Sequence, residues 1–139
     1  MPDADEMLRN AQFVHADCAW LDGRFVAWRL EGDRVVLDER IAVDTADLAD
    51  ADCRFDMPAR GARYGGGDST AHGSCGFFFK RGADGGIEWA LFCLASDPFV
   101  GVEVTATQAR FRSQSGDVWV VPGDAVARTR IERARTSRD

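Results

Sequence analysis

Positive charge is what this sequence has too little of to hold a phosphate backbone: 17 basic side chains face 23 acidic ones, a formal charge of −6. That balance argues against direct binding of nucleic acid as the main occupation. Long apolar runs are missing too, so no segment reads as a membrane span. The first residues, with Asp3, Asp5 and Glu6, lack the positive charge and apolar stretch of a signal peptide, so a cytoplasmic protein without membrane contact is expected. The four cysteines, Cys18, Cys53, Cys75 and Cys93, contain no C-x-x-C. Their spacing therefore gives neither a zinc knuckle nor a thioredoxin-type pair, and in a reducing compartment they read as small half-buried hydrophobes. Neither a metal nor a cofactor is expected. No fixed-period repeat and no linker between two cores can be found.

What is present is enough for one core. At 139 residues, 45% apolar, 29% charged and with four tryptophans, the chain reads as a single soluble domain that would bury roughly 70% of its unfolded surface. Ala4, Met7, Leu8 and Ala11 follow a helical period behind Asp3 and Asp5, which predicts a short N-terminal helix within 1–12. The period then becomes two. Val26, Trp28 and Leu30 share one face of a strand, and Val35, Leu37, Ile41 and Val43 share one face of the next, with L-D-G and E-G-D as tight turns. Ile87 to Ala95 is apolar on both faces, as a central strand covered on two sides would be. Val102 and Val104 alternate with Glu103, and 109–114 and 117–121 form a further hairpin around Ser115 and Gly116. The expected fold is mainly β. It is a single antiparallel meander sheet, a sandwich or partly open barrel of about seven strands, occupying 13–123 between short terminal helices. Residues 124–139 form an arginine-rich segment in which Ala127, Ile131 and Ala134 suggest the second helix.

Two stretches read as irregular. D-T-A-D-L-A-D-A-D places acids at Asp44, Asp47, Asp50 and Asp52 and predicts a loop or one helical turn, because like charges at this spacing do not favour a helix. Pro58 to Gly73, with Gly65, Gly66, Gly67 and then Asp68, predicts a long mobile loop; its glycines lack the G-K-S or G-K-T ending of a phosphate-binding loop.

Charge is distributed unevenly. Met1 to Asp56 holds fourteen acids against six arginines, a local balance of −8, whereas Arg128 to Asp139 holds five arginines against two acids. An acidic half is first of all a solvated surface. It also has the sign required to meet a basic partner, and Asp44, Asp47, Asp50, Asp52, Asp56 and Asp68 are the candidate contacts. Three of the tryptophans sit at strand period among apolar residues and read as core. Trp20 is the exception that could face a partner.

The most enzyme-like string is H-G-S-C-G, His72 to Gly76. Its G-S-C-G turn resembles the nucleophile turn of chymotrypsin-fold cysteine proteases, which would make Cys75 a nucleophile and His72 its base. Those enzymes place the histidine far upstream and need two barrels, so here the pair defines only an alternative reading, a small cysteine-dependent hydrolase or transferase. The competing reading takes Cys75 as the first inward residue of a strand.

Taken together, G-S-C-G-F-F-F-K-R, I-E-W-A-L-F-C-L-A-S-D-P-F-V-G-V-E-V and S-G-D-V-W-V-V-P resemble small immunity proteins of bacterial polymorphic toxin systems. The resemblance runs from about Gly73 to Pro122 and contains no catalytic signature. It implies a non-enzymatic cytosolic binder, a monomer or 1:1 heterocomplex, that occludes the active site of a cognate toxin domain with nuclease- or deaminase-like character. The acidic half, found independently, has the charge such a partner would need.

Overall fold

The structure, a computed structural model, describes residues 3–69, 75–94 and 96–134. Helix α1 (Ala4–Arg9) is followed by twelve strands: β1 (Gln12–Val14), β2 (Cys18–Leu21), β3 (Arg24–Glu31), β4 (Arg34–Leu37), β5 (Leu48–Ala59), β6 (Ala62–Ser69), β7 (Gly76–Arg81), β8 (Ile87–Cys93), β9 (Phe99–Val104), β10 (Gln108–Ser113), β11 (Val118–Pro122) and β12 (Arg130–Glu132). They form one antiparallel sheet in the order β1-β5-β6-β7-β8-β2-β3-β4-β12-β11-β10-β9, curled into a half-barrel. The mainly β, single-sheet expectation holds. The strand number is twelve rather than about seven, and the sheet is not one meander. It is built from three, β5–β8, β2–β4 and β9–β12, joined where β2 meets β8 and β4 meets β12, with β1 added at the free edge of β5.

Local chemistry explains the joints. Asp3 caps α1, its carboxylate accepting the Glu6 N–H at 2.7 Å, with Asp5 and Glu6 on the positive helix end. The β2–β3 turn has positive φ at both Asp22 and Gly23, the conformation whose twist matches a two-residue hairpin. Strand β3 turns the corner of the sheet. Its first half pairs with β2 (Cys18 opposite Ala27) and its second half with β4 (Trp28 opposite Leu37).

Curling divides the apolar residues into two clusters, and β7 and β8 belong to both. Phe78, Trp89, Leu91 and Cys93 face the inner core with Phe99, Phe111 and Trp119. Phe77, Phe79, Ala90 and Phe92 face an outer core closed by Ala4 and Met7 of α1 and by Phe13. The two-sided burial predicted for Ile87 to Ala95 is therefore observed over β8, since successive side chains in a strand point to opposite faces. Phe78 stacks on Phe111 with centroids 4.0 Å apart and planes 11° apart, and Phe99 meets Phe78 edge-on at 4.9 Å. Each such buried ring contributes about 1.5–3 kcal/mol.

Four expectations fail, for identifiable reasons. The predicted glycine loop, Pro58 to Gly73, is the end of β5 and strand β6 as far as Ser69, and its remainder, 70–73, lies outside the described residues. Gly65, Gly66 and Gly67 are buried opposite the bulge at Cys53 to Phe55 in β5, and a Cβ on Gly66 would sit 2.6 Å from the Phe77 carbonyl oxygen. They are glycines because neighbouring strands leave no room, not because the chain moves. The acidic stretch is a turn only as far as Asp47; from Leu48 it is β5, in which polar residues alternate with small apolar ones. The predicted C-terminal helix is a 3-10 turn, Val126–Arg128, followed by β12. Finally, β4 stops at Leu37, short of Ile41 and Val43, because the buried carboxylate of Asp38 accepts from the Arg40 N–H (3.1 Å) and the Arg40 and Arg29 side chains, drawing the chain out of the ladder.

The β4–β12 joint is the thinnest part of the sheet. Arg34 stands opposite Arg130, like charges that repel across a ladder. The joint is held by Val35 N–H to the Thr129 carbonyl (2.9 Å), Ile131 N–H to the Asp33 carbonyl (2.7 Å), and Arg133, which bonds Asp33 (2.9 Å) and Asp117 (3.1 Å).

Candidate partner-binding surface

Residues 44–47 form a turn closed by Asp47 N–H to the Asp44 carbonyl (3.3 Å) and by the Asp44 carboxylate accepting the Ala46 N–H (3.0 Å). The turn delivers the chain into β5, where Leu48 to Asp50 pair with β1. Asp47 lies 3.6 Å from His15 Nδ1, and the His15 N–H donates to the Asp47 carbonyl at 2.8 Å. Ala49 and Ala51 pack against the outer core, so Asp50 and Asp52 project from the opposite face of β5, where both are exposed. The result is a run of four exposed carboxylates, Asp44, Asp47, Asp50 and Asp52. Among the described residues no arginine or lysine lies within ion-pair distance of any of them.

The other two candidate aspartates do not join that run. Asp56 lies beyond the bulge, beside Cys53 and Ala51 on the outer-core side, and its carboxylate accepts from Arg63 Nε at 2.9 Å. Asp68 is buried and bonded twice by Arg54, Nε to Oδ1 at 3.0 Å and Nη2 to Oδ2 at 3.3 Å. Its role is to hold the bulged hairpin together, so it is removed from the partner-facing set. Trp20 is also corrected: it is buried against Phe25, ring centroids 4.7 Å apart, and only borders the surface.

What it borders is a groove of about 330 Å³ lined by Trp20, Phe25, Ile41, Val43 and Thr45, and by Arg24 paired with Glu39 at 3.1 Å. Ile41 is 47% exposed and Leu48 is 37% exposed. Sequence reasoning missed both, because period-two alternation assigns Ile41 to a strand's buried face. The interruption at Asp38 and Arg40 was the signal that could have released it.

Cys75 is buried, and its thiol donates to the Leu94 carbonyl at 3.4 Å. Burial, with the Asp17 carboxylate nearby, pushes the thiol pKa up, the opposite of what activates a nucleophile. Its proposed base, His72, lies outside the described residues. Burial pushes Cys18 up to about 12 and Cys93 well above its ordinary value, again with Asp17 adding to the effect. Among the described residues no group of three or more histidine, cysteine or acidic side chains could hold a metal ion. No described helix is long and apolar enough to cross a membrane. Compared with known proteins, the chain matches no family model, no curated protein and no solved structure.

Proposed function

We propose that this chain is an immunity-type inhibitor that binds a cognate toxin domain and covers its active site with the surface formed by 44–52 and the Trp20–Ile41 groove. The observation that carries the reading is the run of exposed carboxylates at Asp44, Asp47, Asp50 and Asp52, with which no described arginine or lysine forms a close ion pair. Several acids elsewhere are used internally: Asp33, Asp38, Asp56, Asp68, Asp117 and Glu132 each hold an arginine. A carboxylate run that no described arginine or lysine pairs with closely, in a chain of sixteen arginines, gives that side a field able to steer a basic partner and mimic the phosphates of its substrate. Exposed Ile41 and Leu48 beside the run supply apolar contacts, which electrostatic steering alone does not. A nuclease- or deaminase-like toxin, with a basic substrate groove, fits this surface.

The test is recovery of the tagged protein with its bound partner from native cells, followed by binding kinetics on the partner identified. Replacing Asp44, Asp47, Asp50 and Asp52 by asparagine should slow association about tenfold or more at low salt, with a smaller effect at high salt. Unaltered association with a toxin domain by the fourfold variant would remove the reading.

A further inference from the structure

A different part of the molecule holds a second site. Where β3, β8 and β11 reach the end of the half-barrel, a cavity of about 410 Å³ opens over the inner core, a size ordinary for a small-ligand site. Trp28, Trp119 and Cys93 lie at its base, the two indoles edge to face at 5.9 Å. Its polar wall is made by Asp17, Ser96 and Asp97.

That wall is incompletely satisfied. Ser96 is only 7% exposed, and its buried hydroxyl has no nitrogen or oxygen partner among the described residues; the Cys93 thiol beside it is a weak partner that leaves it poorly satisfied. Asp17 accepts the Leu94 N–H through Oδ1 at 2.7 Å, and its backbone carbonyl accepts the Trp28 N–H at 3.1 Å, so its position is fixed. Burial holds its carboxyl above the usual carboxylate range, partly offset by the Leu94 bond. No described arginine or lysine pairs with Asp17 or Asp97.

The rim also carries Arg29 and Arg133, which would suggest an anion if they were available. They are not. Arg29 is held by Glu31 and, at 3.3 Å, by Asp38, and Arg133 by Asp33 (2.9 Å) and Asp117 (3.1 Å). The unmatched groups are therefore acceptors and carboxylates above an aromatic base.

We propose that this cavity binds a small organic cation, an ammonium or guanidinium head on a short apolar stem. The head sits against Asp17 and Asp97 within reach of the Ser96 side, and the stem lies over Trp28 and Trp119. Charge-assisted hydrogen bonds and the negative faces of indole rings both favour such a head once it is drawn out of water. The inference is independent of the 44–52 surface, which contributes no residue to this cavity.

Titration of the protein with agmatine, which carries both heads, followed by amide and indole NMR, tests it. Saturable shifts are expected at Asp17, Leu94 and Ser96 and at the Trp28 and Trp119 indoles. Asp17→Asn, which keeps an acceptor for the Leu94 N–H, should weaken binding about tenfold or more. Asp97→Asn, at an exposed position, is the second variant should the first lose its fold, and Glu103→Gln, exposed and outside the cavity, should leave agmatine binding unchanged. A blocked arginine, acetyl-arginine methylamide, separates the two sources of the same chemistry: tighter binding of agmatine assigns a free amine, and equal or tighter binding of the blocked residue assigns a protein side chain. Absence of saturable shifts, shifts confined to 44–52, preferential binding of inorganic phosphate, or folded Asp17→Asn and Asp97→Asn variants that both bind as wild type would each overturn the proposal.

Discussion

The β5–β6 ribbon and the β10–β11 ribbon wall the same inner core by different means. In β10–β11, large side chains do the filling: Phe111 lies opposite Trp119 and both are buried. In β5–β6, Tyr64 and Phe55 also reach the core, but beside them the backbones close in, because Gly65, Gly66 and Gly67 let β6 press against β5 and β7 where a Cβ would collide. One wall is therefore sensitive to side chains becoming smaller, and the other, at its glycines, to side chains becoming larger. The same ribbon carries Asp50 and Asp52, exposed on the face of β5 opposite Ala49 and Ala51.

The sharpest contrast should appear in thiol reactivity. Cys53, exposed on the glycine ribbon, should react with a soluble disulfide reagent in the folded protein, although burial on one side and Asp56 raise its pKa. Buried Cys18, Cys75 and Cys93 should react only through opening, slower by about 10³-fold or more. Rapid reaction at Cys75 would instead revive a cysteine enzyme.

Next in size is truncation of the large-residue wall. Phe111→Ala should cost about 3–5 kcal/mol in urea unfolding, through lost burial and the cavity left beside Phe78. Its counterpart, Gly66→Ala, should cost about 1–3 kcal/mol by overpacking although it adds a single methyl group. Should Gly66→Ala prove neutral, the close approach of the strands is not what selects glycine.

The two regions should also differ in acid. Arg40 holds the Asp38 carboxyl below its ordinary range, Lys80 does so for Asp124, and Arg110 for Glu132, all outside the β5–β6 ribbon. A lowered folded pKa gives stability that is complete above the unfolded value and lost as pH falls through the folded one, so urea midpoints should decline below about pH 4. Asp124→Asn should flatten that decline. Asp17 has the opposite sign: its raised pKa gives stability present at low pH and lost as pH rises through the folded value, so Asp17→Asn should lose less stability than wild type on going from acid to neutral pH. The smallest effect is expected at Asp50, where Asn should leave stability within about 0.5 kcal/mol while still counting in partner binding.

These differences also explain what could be read from the sequence. Strands that bury large side chains announce themselves, so β8 with its two apolar faces, the 109–121 hairpin and the L-D-G turn were all legible. Strand β6 was not, because three glycines carry no alternation and the collision that requires them exists only once β5 and β7 are in place. The same holds for β12: Ala127, Ile131 and Ala134 fit a helical period, but Ile131 is buried against the inner core through pairing with β11, a partner the local sequence does not name. At the candidate surface, the acids at 44–52 were legible as charge. Loss of Asp56 and Asp68 to Arg63 and Arg54 depended on a bulge with no signature of its own.

The corner strand β3 has a consequence in time. It can complete the sheet only when residues far along the chain arrive beside it: the Trp28 indole bonds the Phe92 carbonyl 64 positions away, and Arg133 reaches back 100 positions to Asp33 at the next turn. Loops that long must close before their contacts return any stability, so such a topology folds in milliseconds to seconds rather than microseconds. For a protein whose proposed task is to meet a toxin as it is made, speed of maturation would matter as much as affinity.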